Sequence, residues 1–228
     1  MAVSIVQSAQ NRAAAVTTVT ATLSSVTAGN LIVAILFVDK NSGAINTPTS
    51  SGAGTFTVPQ SNNQTSVSGG VAFKVADGGE TGITWTWTTA QIGTLWVAEI
   101  SGLTATPFDV SAKSAGSETA VTSRSTGTTA STAQNDEWAI AAAVADTWNN
   151  VDGGAAWTNS FVQFVFIGAN ASDAGGSIAT KTLTATGTVE STYSTTDVGD
   201  QMNGYVMTFK IAAAGSTSPS ASPSASPS

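Results

Sequence analysis

Residues 27–39 read Thr-Ala-Gly-Asn-Leu-Ile-Val-Ala-Ile-Leu-Phe-Val-Asp, the longest apolar run in the chain. A turn signal at Gly29-Asn30 opens the run and Asp39 closes it. The run is too short to cross a bilayer as a helix. Its residues are β-branched or large, and turn chemistry bounds it, which predicts a central strand buried on both faces. Residues 132–146 repeat the pattern as Thr-Ala-Gln-Asn, Asp-Glu, then Trp-Ala-Ile-Ala-Ala-Ala-Val-Ala-Asp. The chain therefore reads as two quasi-similar halves, about 1–110 and 111–214, each built on one such strand.

Much of the remaining chain alternates with period two. Val19, Ala21 and Leu23 oppose Thr18, Thr20 and Thr22; Ile83, Trp85 and Trp87 oppose Thr84, Thr86 and Thr88. Tyr205, Met207, Phe209 and Ile211 share one face of a last strand. The Asp77-Gly78-Gly79 turn signal predicts a β-hairpin over residues 71–88. The alanine face of the second buried strand implies close approach of another layer. No segment carries a sustained helical period, and turn signals recur between short strands. The fold class is therefore all-β, a two-sheet antiparallel sandwich that is jelly-roll-like or closely related. The last strand is expected to pair with the first half, making residues 1–214 one domain. From Gly215 onward Ser218-Pro219-Ser220-Ala221 repeats to the end. With no large apolar residue this segment cannot offset its ordering entropy, so residues 215–228 read as a disordered tail.

Composition excludes several chemistries. Of 228 residues none is Cys and none is His. Disulfides, thiolate metal sites, His-based zinc sites and His-dependent nucleophilic triads are therefore ruled out. The net charge is −7, which argues against nucleic-acid binding and against docking on an anionic membrane. Charged residues make up only 9% of the chain, against about a quarter in an average domain. Hydroxyls and small residues must coat the surface instead. The N-terminus, Met-Ala-Val-Ser-Ile-Val-Gln-Ser-Ala-Gln, has neither the basic nor the long apolar stretch of a secretory signal. The expectation is a leader missing from this sequence, or release by another route such as phage lysis of a host.

Four segments together resemble a known group: Thr27-Ala28-Gly29-Asn30-Leu31-Ile32-Val33, Gly70-Val71-Ala72-Phe73, Ala98-Glu99-Ile100-Ser101-Gly102 and Pro107-Phe108-Asp109-Val110. They are similar to β-sandwich modules of tailed-phage structural proteins and secreted bacterial proteins. In that group a GNLLV strand precedes an aromatic hairpin, an EISG strand end and a Pro-Leu-Asp turn. Here Phe108 replaces the leucine of that turn. The resemblance covers roughly residues 15–146 and implies a structural role with no catalytic residues.

Candidate sites follow from residue chemistry. Exposed tryptophans stack on sugars or anchor interfaces. Trp85, Trp87, Trp96 and Trp138 alternate along strands and read as core. Trp148 and Trp157 flank a Gly/Asn loop; with Asn149 and Asp152 they form the candidate ligand-binding set. Asp146, Asp152, Asp173, Asp197 and Asp200 lack the Asp-x-Asp-x-Asp-Gly spacing of a calcium loop and read as solvated turn residues. Glu99, opposed to Glu137 or Asp109, would make an acid/base pair for glycoside cleavage. A lone strand carboxylate is more simply exposed or paired with a lysine such as Lys74. No metal, cofactor or catalytic residue is assigned.

The expected function is a non-enzymatic virion structural protein that decorates a capsid or tail. Its partners would be other virion proteins or further copies of itself. The alternative is a carbohydrate-binding or adhesion module, phage-borne or extracellular, that meets a surface glycan.

Overall fold

The computed structural model describes residues 2–114, 119, 121–145, 156–167, 175–195 and 201–213. Among these residues there are fourteen strands and no helix. The expected disordered tail at 215–228 lies outside the described residues.

The first six strands are β1 (Ser4–Thr22), β2 (Leu31–Asp39), β3 (Thr49–Ser50), β4 (Thr57–Asn63), β5 (Val67–Val75) and β6 (Gly82–Ser101). They form one antiparallel sheet in the order β1-β6-β2-β5-β4, with β3 pairing to β6 at the side. The other eight are β7 (Leu103–Lys113), β8 (Ser123–Ser125), β9 (Glu137–Ala145), β10 (Ala156–Trp157), β11 (Val162–Ile167), β12 (Gly175–Leu183), β13 (Thr192–Ser194) and β14 (Met202–Ile211). Five of these make the second sheet, which read from β7 runs β7-β14-β9-β12-β11. The remaining three form a small sheet, β10-β13-β8. The succession is the same in both large sheets: first strand, last strand, apolar central strand, then two more. The sheets do not exchange strands, so the sandwich is the related two-sheet arrangement. β14 pairs with β9 and β7, and β7 begins at Leu103. The chain changes sheet at Gly102, whose φ of 84° is the left-handed conformation that favours glycine.

β2 and β9 are buried along their whole length because each lies between layers. Leu31, Val33, Ile35 and Phe37 meet Trp138, Ile140, Ala142 and Val144 in the core between the sheets. The other face of β2, with Ile32, Leu36 and Val38, packs under Trp85 and Trp87. The alanines of β9 pack under the small sheet, where Tyr193 covers Ala143 and Ala145. The four strand tryptophans, Trp85, Trp87, Trp96 and Trp138, are buried. The molecule is thus four layers deep, and the close approach read from the alanine face is present.

The predicted hairpin over 71–88 does not form. β5 pairs with β2 and β4, whereas residues 82–86 pair with 18–22 of β1. β1 and β6 are each one long strand that bends, β1 near Ala15 at φ 54°. The bend folds the Trp85 end of the ribbon over the outer face of its own sheet. Ile83, Trp85 and Trp87 alternate with threonines because one face caps that layer and the other is the surface. The Asp77-Gly78-Gly79 turn carries the chain to this outer layer instead of to an adjacent strand.

Glycine lets the two sheets interlock. A Cβ on Gly176 would lie 2.2 Å from the Phe37 ring, and one on Gly69 would touch Val144 at 3.4 Å. Phe37 pairs with Gly69 and Val144 with Gly176, so the four hold matching positions in the two sheets. Each sheet offers a glycine where the other presents its large side chain.

Candidate interaction edge

β1 and β11 are the edge strands on one side of the sandwich; β4 and β7 are those on the other. Their sequences differ in kind. β11 is Val-Gln-Phe-Val-Phe-Ile, a β-prone run with no charge and no proline. β7 carries Pro107, Asp109 and Lys113, the residue types that discourage edge pairing. Among the described residues the exposed large hydrophobics are Val6 (52%), Val162 (70%) and Phe164 (44%). All three lie on β1 or β11.

Two of the three occupy the same kind of position. The β1–β6 register passes from Ile5 to Gln7, leaving Val6 as the extra residue of a bulge. The β11–β12 register passes from Gln163 to Val165, leaving Phe164 in the same role. A bulge inserts an unpaired residue and redirects its side chain. The Phe164 ring lies edge-on to Trp96 at 6.1 Å, closing the inner core on this side. Beside it a shallow cavity of about 250 Å³ runs between residues 8–10 of β1 and Val165 and Phe166 of β11, with Trp96 at its floor.

The candidate ligand-binding set divides. Trp148, Asn149 and Asp152 lie outside the described residues, as do Asp146, Asp173, Asp197 and Asp200. Trp157 is half-buried on β10 and works as a packing residue. Its indole N–H donates to Ser177 Oγ at 2.9 Å, and its ring meets Tyr193 at 5.1 Å. Among the described residues no three or more acidic side chains gather where they would hold a metal ion.

Glu99 and Glu137 do not form an acid/base pair. Glu99 shares the outer face of its sheet with Leu95 and Val97, and Glu137 shares the outer face of the other with Ala139. The inner core stands between them, and facing sheets alone are about 10 Å apart. Glu99 is neither exposed nor paired with Lys74. It is buried, and it accepts hydrogen bonds from Gln7 Nε2 (2.6 Å), Asn30 Nδ2 (2.6 Å) and the Thr27 amide (2.9 Å). Burial opposes its charge, but these donors outweigh it and hold its pKa below the ordinary 4.5. Lys74 turns the other way, to Glu80 (3.0 Å) and Asp77 (3.1 Å). In the second half Glu137 takes the place of Asn30 and Thr208 that of Glu99, so the acid has crossed to the partner strand.

Glu137 and Asp109 face each other instead. Burial pushes the Glu137 pKa above 4.5 and the nearby Asp109 adds to it, while Thr208 and the Gln134 backbone offset it in part. Asp109 itself accepts the Ala133 amide at 2.7 Å and lies 3.7 Å from Lys210 Nζ. A raised folded pKa gives stability that is complete below 4.5. Above that value the unfolded chain ionises first, and stability falls as pH rises toward the folded value. Glu137→Gln removes the titrating group beside Asp109 and with it this loss. It is expected to match the parent near pH 4 and to melt a few degrees higher at pH 7, read by calorimetry across pH.

Comparison of the chain with protein-family models, with curated proteins and with solved structures finds no match. The fold and its surface define an all-β sandwich whose exposed large hydrophobics lie on one side, where Arg12 is the one charged residue of β1 and β11 among the described residues. Sequence reasoning missed Val6 and Phe164 as surface residues. The apolar run at 161–167 was a visible signal, but the bulge at Phe164 leaves no local mark.

Proposed function

We propose that this chain is a structural module that assembles with further copies of itself through the β1/β11 side. One observation carries the reading: the exposed large hydrophobics of the described residues all lie on these two edge strands, two of them at bulges. Exposed apolar groups clustered in this way mark protein contact. Self-pairing around a two-fold axis suits an edge that carries little charge, because like-charge repulsion between copies is small there. A virion is the setting proposed, on the strength of the hydroxyl-rich surface and the sequence resemblance. The role calls for shape complementarity and no chemistry.

Light scattering of the purified chain at increasing concentration is expected to show a dimer or larger closed assembly. The double variant Val162→Lys, Phe164→Lys is expected to weaken association at least about tenfold while leaving the fold intact. A chain that stays monomeric at every concentration, or a double variant that associates as the parent does, would overturn the reading.

A further inference from the structure

Away from the edge, the outer side of the second sheet holds a polar groove that none of the preceding roles uses. Its cavity is about 360 Å³ and lies between β12, the 158–161 turn and residues 188–190. Leu183 and Val189 form an apolar floor. Six polar side chains, Thr128, Asn159, Ser160, Lys181, Thr188 and Glu190, make the walls.

The walls are fixed before any ligand arrives. Glu190 accepts a hydrogen bond from Ser125 Oγ at 3.0 Å on one carboxylate oxygen and from Thr128 Oγ1 at 2.5 Å on the other. Its backbone carbonyl accepts the Asn159 side-chain amide at 2.8 Å. Asn159 and Ser160 have φ of 57° and 61°, and the Phe161 amide closes the turn on the Thr158 carbonyl at 3.2 Å. Two successive left-handed residues make a type I′ turn, in which the second position favours glycine. Serine there holds a costly conformation, and such strain gathers at binding sites. Lys181 lays its ammonium over the Phe161 ring, 5.9 Å from the centroid, and makes no ion pair within the described residues. Lys181 and Glu190 therefore line one cavity without neutralising each other.

This arrangement selects a chemistry. An anion would meet Glu190, a cation would meet Lys181, and an apolar ligand would strip water from six polar side chains without replacing it. A neutral ring with several hydroxyls fits, because each hydroxyl both donates and accepts. Glu190, Lys181, Asn159 and the threonine hydroxyls supply both kinds of partner, and the apolar floor takes the face of the ring. We infer that the groove bounded by Asn159-Ser160, Lys181 and Glu190 binds a single neutral pyranose unit of a glycan. This site is separate from the β1/β11 side and does not depend on assembly there.

The test is a two-dimensional amide NMR titration of the full chain with methyl glycosides of glucose, galactose, mannose and N-acetylglucosamine. At least one sugar is expected to give saturable shifts confined to residues near 128, 159–160, 181 and 188–190. Lys181→Ala and Glu190→Gln are each expected to weaken that binding at least about tenfold, with amide spectra otherwise preserved. The edge double variant is expected to bind as the parent does. No saturable shift with any of the four sugars at tens of millimolar would overturn the inference. Shifts that persist in both groove variants, or binding of a zwitterionic amino acid in place of sugars, would overturn it equally.

Discussion

Lys74→Ala is expected to cost about 3–5 kcal/mol of folding stability, because it leaves a buried carboxylate without its cation. The Lys74 side chain is 3% exposed and that of Glu80 is fully buried. The ammonium donates to Glu80 Oε1 at 3.0 Å, to Ser50 Oγ at 3.2 Å and to the Ala53 carbonyl, and it pairs with Asp77 at 3.1 Å. Glu80 in turn accepts the Asp77 and Gly78 amides, both at 2.9 Å. One lysine thus ties the end of β5, the 50–53 loop and the 77–80 turn into a single joint. Without it Glu80 keeps its two amide donors and loses the charge that balances burial. Denaturant unfolding at pH 7 measures the loss, and a change below about 1 kcal/mol would show that water reaches the site. The acid limb gives a second reading. Burial works against the Glu80 charge, yet Lys74 and the two amides hold its pKa below 4.5. A lowered pKa gives stability that is present above 4.5 and is lost as pH falls through the folded value. The parent is expected to lose stability on acidification below pH 4.5, and the alanine variant to lose less.

Gly176→Ala is expected to destabilise the sandwich by about 1–3 kcal/mol, the usual cost of overpacking a filled core. The added methyl would sit 2.2 Å from the Phe37 ring and 2.3 Å from the Ala143 carbonyl. The ring can yield; the carbonyl belongs to the neighbouring strand and cannot yield without disturbing the ladder. Phe37→Ala alone is expected to cost about 3–5 kcal/mol by opening a cavity. Combined, the two changes should cost less than their sum, since the new methyl enters part of the vacated space. Strict additivity in the double-mutant cycle would show that the two residues do not touch across the sheets.

The sequence was most legible where burial follows from local pattern. The runs that became β2 and β9 declared themselves by continuous apolarity, and Trp85, Trp87, Trp96 and Trp138 by alternation. Pairing was less legible. Asp77-Gly78-Gly79 is sound turn chemistry, but nothing within a few residues shows that the returning strand joins β1 instead of β5. The partners of Glu99 come from residues 7, 27 and 30, and those of Lys74 from 50, 53, 77 and 80. These contacts exist only once the layers are stacked. The candidate groove was hidden for the same reason: Thr128, Asn159, Lys181 and Glu190 lie in four separate polar segments, none of which resembles a motif.

The pairing of each half's first strand with its last also sets a timetable. Ser4 is matched to Ser101, and Ala112 to Val206. During synthesis the β1 segment emerges first and must wait for almost a hundred further residues before its ladder exists. β7 then waits in the same way for β14. Closure of each sheet is therefore a late, long-range event of the kind that slows folding. Until it happens the nascent chain carries open strand edges, the most aggregation-prone state it will pass through.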